Sequence, residues 1–244
     1  MRENINIIRL EEIDSTNLYA KLNLNNLPDE SIVIANRQSA GRGRFDRVWV
    51  DLGEGNVFMS FVLKPSAEFS QNYPNLTQYL CVTLCKVLET FGLKPQIKWP
   101  NDVLIDGKKI AGILSESIIQ GGNFKGLVLG IGVNLNSNTK DVKQIKDKDV
   151  TALNIELNRE SVDKNEFIEN LLTEFFDNYE DFLKKGFVMI KNDYLNKSCF
   201  LNKEISVQVF NEKKSGLAKE VNDFGELVLE NSEKELVLTM GDIL

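Results

Sequence analysis

The stretch from Gln96 to Ile119, QIKWPNDVLIDGKKIAGILSESII, constrains the fold of this chain more than any other. Asp106-Gly107 stands between two apolar runs, which is the sequence form of a two-residue hairpin turn. The turn predicts a register: Ile105 opposite Lys108, Leu104 opposite Lys109, Asp102 opposite Ala111. Side chains alternate across a strand, so Asp102, Leu104, Lys109 and Ala111 share one face. Asp102 and Lys109 are then diagonal neighbours within reach of a long side chain, and Lys108 points the other way. The hairpin therefore nominates Lys109 over Lys108 as the interior lysine, with Asp102 as its carboxylate partner. A lysine held in this way can donate to an anion at the centre of a site, and Asp102 can orient it or bind Mg2+. The plain alternative is a cross-strand ion pair on the surface, worth at most about 1 kcal/mol.

Further strands and helices surround this hairpin. INIIRLEEI (5–13), SIVIANRQ (31–38), NVFMSFVLK (56–64) and FKGLVLGIGVNLN (124–136) read as strands. Asp14-Ser15-Thr16 supplies capping side chains for a short helix, NLYAKLNL. Leu76, Leu80, Leu84, Val87, Leu88 and Phe91 recur at helical spacing, with Gly92 as the cap. A second helical stripe, with Phe167, Leu171, Phe175 and Phe182, runs from about 161 to 185 and ends at Gly186. The polar segment between Asn136 and Asp149 reads as a surface loop. After about Asn196 the pattern becomes short strands with polar turns: EISVQVF, GLAKEVN, GELVLEN and ELVLTM. The expected architecture is α/β (α+β): a mixed β-sheet with flanking helices in residues 1–195, and a small β-barrel in residues 196–244.

Composition excludes several chemistries. The chain of 244 residues has no histidine, which removes every histidine base and the Ser-His-Asp and Cys-His nucleophile systems. Chemistry must run on Lys, Arg, Asp, Glu or backbone amides. Cys81, Cys85 and Cys199 are too few for a zinc site without histidine and read as core residues. The net charge of -7 argues against sequence-independent nucleic-acid binding. No apolar run approaches the roughly 20 residues of a membrane span, and the first residues lack a signal-peptide core, so a cytoplasmic location is expected.

In this acidic chain, GRGRFDRVW (41–49) gathers Arg42, Arg44 and Arg47 around two glycines. Gly41 and Gly43 leave backbone amides uncovered, and arginines offer bidentate bonds to phosphate or carboxylate. Trp49 offers a flat surface for a purine or for packing over a lid. A solvated surface loop is the plain alternative. In GIGVNLN (130–136) the glycines make close sheet packing or room for a cofactor, with Asn134 reading polar edges. Taken together, the arginines, the lysine with its acidic neighbour and the glycine clearance suit a nucleotide and a carboxylate held head to head. Activation of a carboxylate by ATP needs fixed cations at the phosphoryl oxygens and no histidine.

With these motifs in order, the chain resembles the biotin protein ligases. GRGRFDRVW is similar to the family's biotin- and adenylate-gripping loop. KWPNDV (98–103), GKKIAGIL (107–114) and GIGVNLN are similar to its following motifs, and Ser15-Thr16-Asn17 to its early one. The resemblance implies a class II synthetase-like catalytic domain with an SH3-like C-terminal domain ending in GDIL. It implies that Ser15, Thr16, Asn17, Gln38, Gly41, Arg42, Lys109 and Gly112 hold biotin. It implies that Arg44, Arg47, Trp49, Asn101, Lys109 and Asn134 hold ATP, and that Lys109, Arg44 and Asp102 serve the chemistry, Asp102 beside Lys109 or a Mg2+ ion. ATP, Mg2+ and biotin would be the small-molecule requirements. A biotin carboxyl carrier domain would be the acceptor, a homodimer is compatible, and neither DNA nor membrane binding is expected. The chain departs from the family pattern at Phe45 and at Asp46, where many members have glycine, and Asp46 beside three arginines would pin the loop when empty. A lipoate or octanoate protein ligase is the nearest alternative, and a vitamin sensor without turnover is another.

Overall fold

The computed structural model describes residues 5–64, 72–145, 149–232 and 234–244, and of Asp46 it describes the backbone only. In chain order the elements are β1 (Ile7–Ile13), α1 (Thr16–Leu22), β2 (Ser31–Gln38), β3 (Val57–Leu63), α2 (Leu76–Thr90), β4 (Pro95–Lys98), β5 (Asp102–Ile105), β6 (Lys108–Gln120) and β7 (Asn123–Val133). They continue as α3 (Thr139–Val142), α4 (Leu153–Glu156), α5 (Lys164–Asp177), α6 (Tyr179–Lys185) and α7 (Lys191–Lys197). The chain ends in β8 (Glu204–Val209), β9 (Glu212–Val221), β10 (Leu227–Glu230), β11 (Glu235–Leu238) and β12 (Asp242–Ile243).

Seven strands form one mixed sheet in the order β1-β2-β3-β7-β6-β5-β4. β1 and β2 are parallel, joined through α1, and every other neighbouring pair is antiparallel. The period of two sorts the side chains of β3 and β7. Met59, Phe61, Leu129 and Ile131 join the large core under α2 and α5. Val62 and Val128 face the other side, where Ala20 of α1 and Leu24 just after it cover them. That helix has only 7 residues, so it covers one end of this face. The rest of the face carries Ser60, Gly130, Gly132 and Gly112 in place of bulky groups, with Ser60 opposite Gly130 and Gly112 opposite Gly132. A sheet face that lacks bulk and lacks a covering helix is an open cavity, and this is what positions the site.

Four details differ from the sequence expectations. The arm before the turn, read as a single strand, is two antiparallel strands, β4 and β5. The hairpin turn occurs at Asp106-Gly107, with Leu104 opposite Lys109, but Asp102 lies opposite Gly112 rather than Ala111. Ile110 is an extra residue in β6, a bulge. Its carbonyl accepts from Asn134 N at 2.9 Å, and the Lys109 backbone bonds the Asp149–Thr151 segment at 2.8 and 2.9 Å. The bulge turns Gly112 to the cavity and sends Ala111 into the core. The second helical stripe is two helices, because Asn178 (φ -118°, ψ 3°) leaves helical geometry between α5 and α6. The segment read as a loop after Asn136 contains the single turn α3, and residues 146–148 of it lie outside the described residues.

The C-terminal strands form a five-stranded antiparallel sheet in the order β11-β10-β9-β8-β12, in keeping with the small barrel expected. The two-residue β12 was not foreseen. Apolar residues of this sheet, Val207, Ala218 and Leu227 among them, are continuous with the main core. Cys81 and Cys85 are buried and Cys199 partly so, all as free thiols. Burial pushes each thiol above its ordinary pKa, consistent with the reading as core residues.

Candidate active site

The cavity over the glycine face has a volume of about 920 Å³. Of the residues nominated from sequence, Ser15, Thr16, Asn17, Gln38, Arg42, Arg44, Arg47, Trp49, Asn101, Asp102, Lys109, Gly112 and Asn134 all line it. Gly41 lies just behind, where a Cβ would sit 2.7 Å from the Trp49 carbonyl.

One end of the cavity is neutral and hydrogen-bonded. Ser15 caps α1 and leads Thr16 and Asn17 into the cavity wall. Gln38 Oε1 accepts from Thr16 N at 2.8 Å and Thr16 Oγ1 at 3.1 Å. Ser60 Oγ lies 2.8 Å from Thr16 Oγ1 and 2.6 Å from Asn17 Oδ1. The Asn17 amino group donates to Glu116 Oε2 at 2.9 Å and to the Leu114 carbonyl at 3.2 Å. These groups are set before any ligand arrives, which lowers the ordering cost of binding.

The other end is cationic. Lys109 Nζ lies 2.6 Å from Asp102 Oδ1, and the two side chains are only 13% and 17% exposed. The pair therefore lies inside the cavity and is not a surface ion pair. Arg44 donates to Asn101 Oδ1 at 3.2 Å, to the Gly241 carbonyl at 2.9 Å and to Asp242 Oδ1 at 2.8 Å. Burial holds the Arg44 guanidinium below its ordinary pKa, while Asp242 and then Asp102 pull it back up. Arg47 makes an ion pair with the second Asp242 oxygen at 2.6 Å. Arg42 has no ion pair among the described residues.

Two sequence readings of the glycines need correction. The Gly43 amide does not face the cavity, because it donates to the Arg47 carbonyl at 2.7 Å and closes the loop on itself. The clearance in GIGVNLN is taken up by protein groups. Asn17 wedges over Gly130, where a Cβ would come within 2.7 Å of its amide carbon. The Trp49 indole lies on Gly132 and Gly112: an added Cβ at Gly132 would collide with its ring, and one at Gly112 would sit 2.8 Å from it. Lys109 Nζ stands 5.4 Å from the centre of that ring. In the arginine loop the left-handed residue is Phe45 (φ 53°), and the charge effect expected of Asp46 falls on a side chain outside the described residues.

Four contributors were missed in the sequence. Ser60 had a signal, a lone hydroxyl in the apolar run VFMSFVL. Glu116 lies on β6 with an outward-pointing appearance in sequence, yet it bonds Asn17. Asp242 sits on β12, which is too short to show periodicity. The Asp149–Thr151 clamp on Lys109 carries no local signal at all.

Comparison with known proteins agrees with this geometry. The profile of the biotin/lipoate A/B protein ligase family matches residues 10–134. The bifunctional ligase/repressor BirA of Bacillus spizizenii is 32% identical over 239 residues, covering 97% of this chain and 73% of that protein. The biotin–[acetyl-CoA-carboxylase] ligase of Paracoccus denitrificans is 29% identical, covering 96% and 98%. The solved structure of the Aquifex aeolicus biotin protein ligase in complex with biotin and ATP has a TM-score of 0.84 at 28% identity, covering 98% of this chain and 97% of that one. A mixed sheet with an amide-lined pocket leading to buried cations is the build of an acyl-group ligase, and the chain belongs to the biotin/lipoate A/B protein ligase family. Within that family, the Paracoccus and Aquifex relatives are biotin ligases.

Proposed function

We propose that this chain activates biotin with ATP as biotinyl-5'-AMP and transfers the biotinyl group to a lysine of a biotin carboxyl carrier domain. The observation that carries the reading is the polarity of one cavity: a neutral amide and hydroxyl end at Thr16, Asn17 and Gln38, and a cationic end at Arg44 and Lys109. A cyclic urea with a carboxylate tail fits that polarity lengthwise. The named relatives support the same substrate.

In the first half-reaction the biotin carboxylate attacks the α-phosphorus and pyrophosphate leaves. Negative charge grows on the phosphoryl oxygens, and Lys109 and Arg44 are the fixed cations that face it. Trp49, Arg47, Asn101 and Asn134 form the nucleotide side, and Gly41, Arg42 and Gly112 close over the acyl group. In the second half-reaction the acceptor lysine nitrogen attacks the acyl carbon of the mixed anhydride and AMP leaves. The acceptor ammonium, with a free pKa of about 10.4, must first give up its proton. Asp102 and a phosphate oxygen of the leaving AMP are the acceptors at hand. Among the described residues no group of three or more Asp, Glu, His or Cys side chains comes together to hold a metal. Magnesium would enter with the nucleotide to offset phosphate charge, and Asp102 would be the protein carboxylate that holds it.

We further propose that residues 1–195 are the catalytic domain and 196–244 a distinct C-terminal domain. Among the described residues no helix is long and apolar enough to cross a membrane.

The direct test is pyrophosphate release on adding biotin and Mg-ATP. Release with biotin and none with lipoate or octanoate supports the reading. Release with lipoate or octanoate alone replaces it with the acyl-ligase alternative, and tight biotin binding without pyrophosphate makes the protein a sensor.

A further inference from the structure

We infer that Glu116, which sits behind the cavity wall, is a positioning residue that sets the hydrogen-bond polarity of the biotin pocket through Asn17 and Ser60. The inference rests on the biotin reading above. It starts from a property of carboxylates: an ionised one only accepts hydrogen bonds. Glu116 Oε1 takes Lys21 Nζ at 2.6 Å, which pairs its charge. Its Oε2 lies 2.9 Å from the Asn17 amide, so the Asn17 amino group must face Glu116. The Leu114 carbonyl, also an acceptor, enforces the same orientation at 3.2 Å. Asn17 Oδ1 is thereby turned toward Ser60 and can only accept.

Ser60 has one hydroxyl proton, and the shorter of its two contacts, 2.6 Å, is to that oxygen. With its proton drawn there, Ser60 has only a weak share left to donate at its 2.8 Å contact with Thr16 Oγ1, whereas an Asn17 turned the other way would send that proton wholly to Thr16 and occupy the lone pair a ligand would use. The Thr16 hydroxyl gives its own proton to Gln38 Oε1 at 3.1 Å, so what it offers the cavity is a lone pair. Gln38 Oε1 is engaged by Thr16 N, so its amino group is the end left for a ligand, and it has no partner among the described residues. The wall therefore presents one acceptor and one donor side by side, the complement of a urea N–H and C=O. Three of the links, Thr16, Asn17 and Ser60, are buried, where an unpaired polar atom is costly and the chain of bonds is correspondingly directional.

Glu116→Gln keeps the shape and removes the compulsion, since a carboxamide can meet Asn17 in either orientation. The experiment measures steady-state pyrophosphate release with biotin and with 2-iminobiotin, whose protonated imino group replaces the urea oxygen acceptor with a donor. We expect wild type to prefer biotin strongly. In Glu116→Gln the biotin KM rises about tenfold, the preference over 2-iminobiotin shrinks at least fivefold, and kcat and the ATP KM hold. Ser60→Ala breaks the same relay at its middle, so the double variant is no worse than the worse single one. If wild type itself neither binds nor turns over biotin, the proposed function fails. If wild type does so and Glu116→Gln matches it in KM and in discrimination, the relay is wrong. If kcat falls and the ATP KM rises together with the biotin KM, or the two substitutions simply add, Glu116 serves general stability and the inference is overturned.

Discussion

Lys108 and Lys109 are adjacent, chemically identical and oppositely placed. Lys108 is half exposed and 3.4 Å from Glu156, whereas Lys109 is in the cavity against Asp102. That distinction was readable in the sequence because a two-residue turn dictates which side chains share a face. Lys109→Ala is expected to lower pyrophosphate release by 10²-fold or more, in the range seen when one charge-stabilising donor is removed. Lys108→Ala is expected to stay within about twofold, and the reverse outcome would show the register to be wrong. Lys109→Ala also strands Asp102, at a cost of about 1–3 kcal/mol that urea denaturation would read. Ser60, Glu116 and Asp242 were not readable in this way. Their roles depend on which distant strand lies alongside, and no local pattern encodes that.

At the scale of elements, most strands of the main sheet and the helix before Gly92 were legible from period and turn signals, but the run before Asp106 was read as one strand and is two, β4 and β5. The bulge at Ile110 was not, since its cause is the Asp149–Thr151 segment bonding the Lys109 backbone from forty residues away. The break at Asn178 was hidden for a similar reason: the apolar stripe continues through it while the backbone does not. The glycines of β7 were seen as clearance, but the sequence cannot say what fills it. The structure puts Trp49 there, and a methyl group at Gly132 would collide with the indole. Gly132→Ala is therefore expected to displace Trp49 and raise the ATP KM at least tenfold. Calorimetric titration should show biotin affinity changed by less than threefold, because Thr16, Gln38 and Ser60 do not touch that position.

At the scale of the whole molecule, the two sheets meet at the site's cationic end. Asp242 of β12 joins Arg44 and Arg47. Farther along, Gln78 and Trp99 both donate to the Gly225 carbonyl between β9 and β10, at 2.7 and 3.3 Å. The change in character after residue 196 was visible in sequence, but the return of the last strand to the arginine loop was not. Asp242→Asn leaves both arginines without their fixed anion, and kcat for pyrophosphate release is expected to fall about tenfold. The same variant should show a steeper loss of pyrophosphate affinity with added salt, as the cations become free to attract ions from solution.

The chain has two tryptophans. Trp99 is 2% exposed and tied to the C-terminal sheet, while Trp49 rests on the cavity floor beside the Lys109 ammonium. The molecule thus carries its own optical reporter: arrival of a purine should alter the emission of one indole against a constant background from the other. Stopped-flow fluorescence with Trp49→Phe as the blank would time nucleotide entry with no attached dye.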